Sequence, residues 1–206
     1  MEIRKSFPDK KEIRKKHLAI RNAMSELEKE EKSRKIHERL INSDWYATTD
    51  WIFGYYPLGK EVDCLDFLEK VLHDGKHVAL PRTGNSCTME FYEITSLTQT
   101  AEGAFHVMEP IAECHLVNPS DLSDQQIVVL VPGVVFDTAG SRYGYGKGFY
   151  DRYFARVIKL KRFALAYENQ LEPELETLDT DIKMHRIYTE ENEYKIKGRE
   201  RYRYGT

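Results

Sequence analysis

The sequence predicts an α/β protein, a single three-layer α/β/α sandwich around a largely parallel sheet. Three observations carry that reading. Short apolar runs ending in Pro or Gly alternate with segments of helical period, the order that builds βαβ units. The most hydrophobic run, Gln126 to Pro132, leads through a glycine-spaced turn into an aromatic helix start. No internal repeat, low-complexity tract or composition shift marks a linker in the 206 residues, a length that suits one good core. The expectation is one domain over 1–206, with residues 1–8 and about 194–206 as mobile tails.

The elements follow in order. Ile13, His17, Ile20, Met24 and Leu27 recur at helical spacing between about Lys10 and Leu27, a narrow stripe on a charged helix. Ser25 with Glu28 reads as a capping box that starts a second helix, running to about Asn42. Trp51 to Tyr56 predicts a buried strand stopped by Pro57. Val62 to Leu72 predicts a helix with Leu65, Leu68, Val71 and Leu72 inward and Gly75 just past its end. His77–Pro81 and the alternating Thr88–Ile94 read as strands, followed by a loop-rich section from Ser96 to about Asp124. A helix over Phe149 to Leu160, a strand over Arg162 to Tyr167 and a last strand within Ile182 to Thr189 complete the chain. Ligands of parallel sheets sit beyond the carboxyl ends of the strands. Pro57-Leu58, Pro81-Arg82 and Pro132-Gly133 all fall there.

Composition removes several function classes. Charged residues make up 32% and hydrophobic ones 41%, as in ordinary globular proteins, and the net charge of −3 gives no overall drive toward nucleic acid or an anionic membrane. No apolar run approaches the roughly 20 residues that span a bilayer, and the charged N-terminus lacks a signal peptide's apolar centre. A cytoplasmic location is expected. Cys64, Cys87 and Cys114 are odd in number and widely spaced, which suggests neither a disulfide framework nor a zinc site. They read as core filler or inert thiols, and Cys114, His115 and His106 as an incidental grouping.

The chemistry concentrates in Val131–Phe154, VPGVVFDTAGSRYGYGKGFYDRYF. Gly144, Gly146 and Gly148 alternate with Tyr145 and Lys147, with Arg142 upstream and Asp151 downstream. Residues without Cβ let backbone N–H groups close on an anion, and a helix starting near Gly148 adds its positive dipole end. A cation, bare backbone and a carboxylate within one helical turn suit a nucleotide phosphate with magnesium. The spacing is neither a P-loop nor a dinucleotide fingerprint, and the same turn is compatible with binding nothing. A second cationic cluster, KKEIRKKH, places Lys10 and Arg14 at i and i+4. Alone it reads as a solvated face. With Lys195, Lys197, Arg199, Arg201 and Arg203 among tyrosines 194, 202 and 204, it also allows an RNA-binding reading. A sugar-phosphate enzyme is a third possibility for the glycine loop.

Taken together, the segments resemble the 5-formyltetrahydrofolate cyclo-ligase (methenyltetrahydrofolate synthetase) family. The likeness runs through K-x-x-I-R at Lys10–Arg14, YYPLGKEVD at Tyr55–Asp63, LPR at Leu80–Arg82, the glycine-loop segment and DIKMHRIYTE at Asp181–Glu190. It implies an ATP-dependent, magnesium-requiring conversion of 5-formyltetrahydrofolate to 5,10-methenyltetrahydrofolate, with ADP and phosphate released, by a monomer that needs no nucleic acid or membrane.

The resemblance also implies roles. Lys147 and Arg142 would be catalytic. Lys10, Arg14, Arg142, Gly144, Gly146, Lys147, Gly148 and Tyr150 would bind ATP, and Leu58, Glu61, Tyr145, Phe149 and Tyr150 the folate. Asp151 and Asp181 would hold magnesium. Simpler roles remain open at this stage: a helix-dipole carboxylate for Asp151, a helix-start acid for Glu61, core aromatics for Phe149 and Tyr150. Tyr145 stands where relatives often carry arginine or glycine. His185 stands where many carry an acid, which would leave the local charge pH-dependent.

Overall fold

The computed structural model describes residues 9–122, 126–157, 159–178 and 180–197. The N-terminal stretch 1–8 and the basic end 198–206, including Arg199, Arg201 and Arg203, lie outside the described residues. In chain order the elements are α1 (Lys10–Ala23), α2 (Glu26–Ile41), β1 (Trp51–Phe53), α3 (Leu65–His73), β2 (His77–Thr83) and β3 (Met89–Ile94). Next come β4 (Thr100–Glu102), β5 (Met108–Pro110), β6 (Ile127–Val131), β7 (Val135–Asp137) and β8 (Arg142–Tyr143). The last are α4 (Phe149–Arg156), β9 (Lys161–Leu165), β10 (Leu171–Glu172), β11 (Arg186–Tyr188) and β12 (Glu193–Lys195).

A seven-stranded sheet in the order β12-β11-β9-β6-β1-β2-β3 forms the middle layer. Its five central strands are parallel, and β12 and β3 close the two edges antiparallel. Alternation along the strands sorts the core into two faces. Ile52, Val78, Leu80, Val128 and Leu130 point toward α2 and α3, where Ile36, Leu40, Phe67, Leu68 and Val71 meet them. Phe53, Ala79, Val129 and Val131 point the other way, onto Tyr153 and Phe154 of α4. Each fully buried Val, Leu, Ile or Phe among them stabilises the fold by about 1.5–3 kcal/mol. Helices on both faces of a mostly parallel sheet are the α/β architecture the sequence predicts.

The chain leaves β1 toward β2 and β3 on one side, then returns to β6 and runs through β9 and β11 on the other. The strand order therefore reverses between β1 and β6, the switch point at which open α/β sheets bind ligands. A second, three-stranded sheet has the order β10-β7-β8. A separate cluster of Ile13, Val134, Val135, Tyr143 and Leu175 fastens α1 to it.

Several expected boundaries move. The α1 stripe stops at Met24, whose extended backbone (φ −61°, ψ 146°) breaks the helix, and Ser25 Oγ then accepts the Glu28 N–H at 3.1 Å to start α2. Leu27 thus belongs to α2 and is exposed, as is Ile20. β1 ends at Phe53, and α3 starts at Leu65 with Phe67 as its innermost ring. α4 ends at Arg156, three residues past Tyr153. The segment Glu193–Lys195, expected as the start of a tail, is edge strand β12, because it pairs with Arg186–Tyr188. The loop-rich section contains the β4–β5 hairpin, and the small sheet was not expected at all.

Candidate active site

One cavity of about 460 Å³ opens beyond the carboxyl ends of β1, β2 and β6, lined there by Tyr55, Pro81 and Pro132. All fourteen residues expected to carry function line it. Lys10 and Arg14 come from α1, Leu58 and Glu61 from the turn after β1, and Arg142 from β8. Gly144, Tyr145, Gly146, Lys147 and Gly148 form the glycine loop, Phe149, Tyr150 and Asp151 the first turn of α4, and Asp181 the approach to β11.

The loop glycines serve different ends. Gly146 (φ +91°) and Gly148 (φ +67°) occupy left-handed backbone that L side chains avoid. Gly148 is the N-cap of α4 and supplies no side-chain cap, so first-turn N–H groups are left for an incoming anion. Gly144 has no such φ; a Cβ there would lie 2.9 Å from the Arg142 guanidinium. Lys147 is exposed, its ammonium 5.9 Å from the Phe105 ring centre, and among the described residues it forms no ion pair.

Charges around the loop are tied in pairs. Arg14 donates to the Gly144 carbonyl at 2.8 Å, and Lys10 pairs with Asp181 at 3.4 Å. Arg142 pairs with Asp151 at 3.1 Å and lies 5.4 Å from the Tyr150 ring centre. Magnesium takes one or two protein carboxylates and completes its shell with phosphate and water. Asp151 and Asp181 fit that donor set. Both line the cavity, and the N–H of Ile182, next to Asp181, reaches Asp151 Oδ1 at 3.4 Å. Among the described residues no group of three or more His, Cys, Asp or Glu converges, so an all-protein metal cage is not built here.

Glu61 is buried (5% exposed) and accepts the Leu58 N–H at 2.9 Å. Burial pushes its carboxyl up to about 7, against the Leu58 N–H, Arg21, the Tyr145 hydroxyl and Arg142, which all favour the charged form. The Tyr150 phenol is also pushed up, first by burial and then by Glu61. Phe149 and Tyr150 line the cavity and also pack against the core face under α4.

Sequence reasoning missed one wall. Thr83, Met89, Phe105, Val107 and Glu109 close the cavity from β2, β3 and the β4–β5 hairpin. Phe105 and His106 sit at φ +59° and +58°, a strained conformation for such residues, and Phe105 meets Phe149 edge-on at 6.0 Å. No local spacing announces this wall; its members are three apolar residues, a threonine and a glutamate from separate segments. Arg21 was missed for another reason: it is buried, does not line the cavity, and reaches Gly133 and Tyr145 of the loop side. His185 corrects an expectation of pH-dependent charge. Burial, then Arg162 and Lys161, press its imidazole down to about 4, and its Nδ1 accepts the Arg162 N–H at 3.0 Å, so it stays neutral near pH 7.

A cavity at the switch point of an open α/β sheet is the layout of a small-molecule enzyme. Residues 6–190 match the 5-formyltetrahydrofolate cyclo-ligase family, and the chain belongs to it. A probable 5-formyltetrahydrofolate cyclo-ligase of Caenorhabditis elegans is 25% identical, over 88% of this chain and 92% of that protein. The mouse 5-formyltetrahydrofolate cyclo-ligase is 23% identical, over 82% and 88%. Among solved structures, the 5,10-methenyltetrahydrofolate synthetase of Aquifex aeolicus superposes with a TM-score of 0.80 at 33% identity, covering 91% of this chain and 93% of that one.

Proposed function

We propose that this chain closes 5-formyltetrahydrofolate to 5,10-methenyltetrahydrofolate at the expense of ATP. The observation that carries the proposal is the convergence on one cavity of the cationic glycine loop, the two carboxylates and the buried Glu61. A formamide carbon is poorly electrophilic and its oxygen leaves badly. Transfer of the γ-phosphoryl group to that oxygen forms an O–P bond, breaks the bond to the β-phosphate and releases ADP. The neighbouring secondary amine then attacks the activated carbon and loses its proton. The C–O bond breaks, and phosphate leaves with the electron pair. Such a reaction asks the protein for alignment and for neutralisation of charge on the moving phosphoryl group.

The residues have matching tasks. The α4 N-terminus and loop N–H groups would cradle the phosphates, with Lys10 and Arg14 reaching them from α1. Lys147 and Arg142 would bear on the transferring group. Asp151 and Asp181 would hold magnesium, which when bound supplies charge neutralisation at the phosphates. Glu61, as a carboxylate, would accept a hydrogen bond from an N–H of the pterin ring or the amine, between Leu58, Tyr145, Phe149 and Tyr150. Flat heterocycles favour such aromatic walls. In this reading the catalyst is a single-domain monomer that acts on a soluble folate in the cytoplasm without nucleic acid. No described helix is long and apolar enough to cross a membrane.

The test is turnover. Purified protein with Mg-ATP and 5-formyltetrahydrofolate should generate the near-ultraviolet absorbance of the methenyl product, and none without ATP. ATP should raise the melting temperature where a sugar phosphate does not. Folded protein that binds both compounds and makes no product refutes the proposal.

A further inference from the structure

Four carboxylates line the cavity: Glu61, Glu109, Asp151 and Asp181. Asp151 and Asp181 are paired with Arg142 and Lys10 beside the glycine loop, whereas Glu61 and Glu109 have no cation within ion-pair distance among the described residues. Glu109, on β5, is 8% exposed. Its Oε1 accepts both the Thr83 N–H at 3.1 Å and the Thr83 Oγ at 2.7 Å. Its Oε2 accepts nothing among the described residues, yet it is not sealed from solvent. A carboxylate offers about four acceptor positions, so half of this one is unused in the cavity wall. A buried acid with neither a cation nor a full set of donors is costly, and its free oxygen calls for a donor that arrives with a ligand.

The carboxylate is held in place from β2. Thr83 fixes Oε1, and Arg82, the residue before it, grips the backbone just past Glu109. Arg82 Nε donates to the Pro110 carbonyl at 3.1 Å, and Nη2 makes a short hydrogen bond to the Ile111 carbonyl. The same guanidinium lies 3.8 Å from the Tyr92 ring centre. Space is reserved as well. A Cβ on Gly103 would lie 2.6 Å from both Cδ and Oε2 of Glu109. Gly103 has a negative φ of −108°, so glycine supplies room here rather than a left-handed turn.

We infer that Glu109 is a specificity-determining residue of the folate site: its Oε2 accepts hydrogen bonds from the amino-bearing edge of the pterin, the 2-amino group and the neighbouring N3–H. This rests on the reading of the cavity as a 5-formyltetrahydrofolate site. An unpaired negative charge on this wall repels a phosphate and suits a neutral N–H donor. The amino edge is where the pterin carries adjacent N–H donors. It lies at the opposite end of the bicyclic ring from N5, which bears the formyl group. The glycine loop stands across the cavity from Glu109. A ring anchored at its amino edge therefore turns its formyl end toward the phosphoryl group, an alignment the cyclisation needs. Glu61 is then left for the reacting amine.

The test is equilibrium binding of 5-formyltetrahydrofolate to the full chain without ATP, read by calorimetry. Glu109→Gln keeps an oxygen that can accept both Thr83 donors and replaces the free oxygen by an amide N–H donor, which would face the donors of the pterin. Folate affinity should fall about 10- to 100-fold, the range for a lost hydrogen bond to a charged group, while ATP affinity and melting temperature stay those of the unsubstituted protein. Gly103→Ala, which crowds the carboxylate, should weaken folate binding in the same direction. A folate whose 2-amino group is replaced by methyl should bind the unsubstituted protein about tenfold more weakly or worse, and should lose far less in Glu109→Gln. Unchanged folate affinity in folded Glu109→Gln overturns the inference. An equal loss of ATP affinity also overturns it, because it would mark a merely structural acid. If Glu109→Gln does not fold, equal binding of the folate and its methyl analogue by the unsubstituted protein overturns it instead. A folate that is bound in this way and never cyclised refutes the proposed reaction alone, because the binding measurement needs no turnover.

Discussion

The glycine-loop wall and the hairpin wall face each other across the same cavity, yet they are made from different materials. On the loop side, Arg14, Arg142 and Lys10 are each bound to a carbonyl or carboxylate, and two glycines hold left-handed turns. On the hairpin side, Met89, Phe105 and Val107 offer apolar surface, and Glu109 accepts a hydrogen bond from the Thr83 Oγ at 2.7 Å. Under the proposed reaction, the difference teaches how the labour would divide. A polyanion is recognised by backbone and charge, which demand fixed spacing within one loop. A flat heterocycle is recognised by contact area, which any apolar side chain of suitable size can supply.

The largest break in that comparison should come from the loop side. Lys147→Ala removes an ammonium that forms no ion pair among the described residues, so little structure depends on it. If it bears on the transferring phosphoryl group, kcat should fall by about 10²-fold or more, as when an oxyanion donor is lost. Single-turnover kinetics at saturating ATP would read this directly. A change below threefold would move the clamp elsewhere, with Arg142 as the next candidate.

The hairpin side should answer differently. Phe105→Ala removes a half-exposed ring that stands edge-on to Phe149. Its loss should raise KM for the folate about tenfold, roughly 1.4 kcal/mol of contact, and leave kcat within about twofold. A fall in kcat with KM unchanged would mean that the hairpin acts in the chemical step, and the division between the walls would fail.

The same division explains what the sequence could reveal. The parallel sheet was legible because its strands are short and apolar and three of them, β1, β2 and β6, are ended by Pro or Gly, and the loop because Gly144 to Asp151 are contiguous. Lys10, Arg14, Glu61 and Asp181 were reachable only through resemblance to a family, since nothing local ties α1 to a carboxylate 171 residues away. The hairpin wall was invisible. Phe105 takes a positive φ that its residue type does not forecast, and Val107 and Met89 look like ordinary core. Arg21 was hidden by its position: it sits in a helix that reads as a solvated cationic face, and only packing reveals that this turn is buried. Edge strand β12 was misread because a basic, tyrosine-rich end suggests disorder, whereas pairing with β11 satisfies its backbone.

The smallest expected effect lies behind the loop wall, in the Asp181–Tyr188 segment that carries one of its carboxylates. His185 is held neutral, with its imidazole pressed down to about 4 from an ordinary 6.5. The unfolded chain therefore takes up a proton near pH 6.5 that the folded chain refuses until about pH 4, so the stability it contributes is complete above 6.5 and is lost as pH falls through that window. Partial exposure of the ring limits the effect to about 1–2 kcal/mol. Glu61 works in the opposite sense. Its carboxyl, pushed up to about 7, makes the folded state relatively less stable as pH rises from 4.5 to 7. His185→Gln should flatten the acid side of the stability profile measured by urea unfolding, while Glu61→Gln should raise stability at pH 8. If His185→Gln leaves the profile between pH 6.5 and 4 unchanged, the imidazole is not buried as neutral.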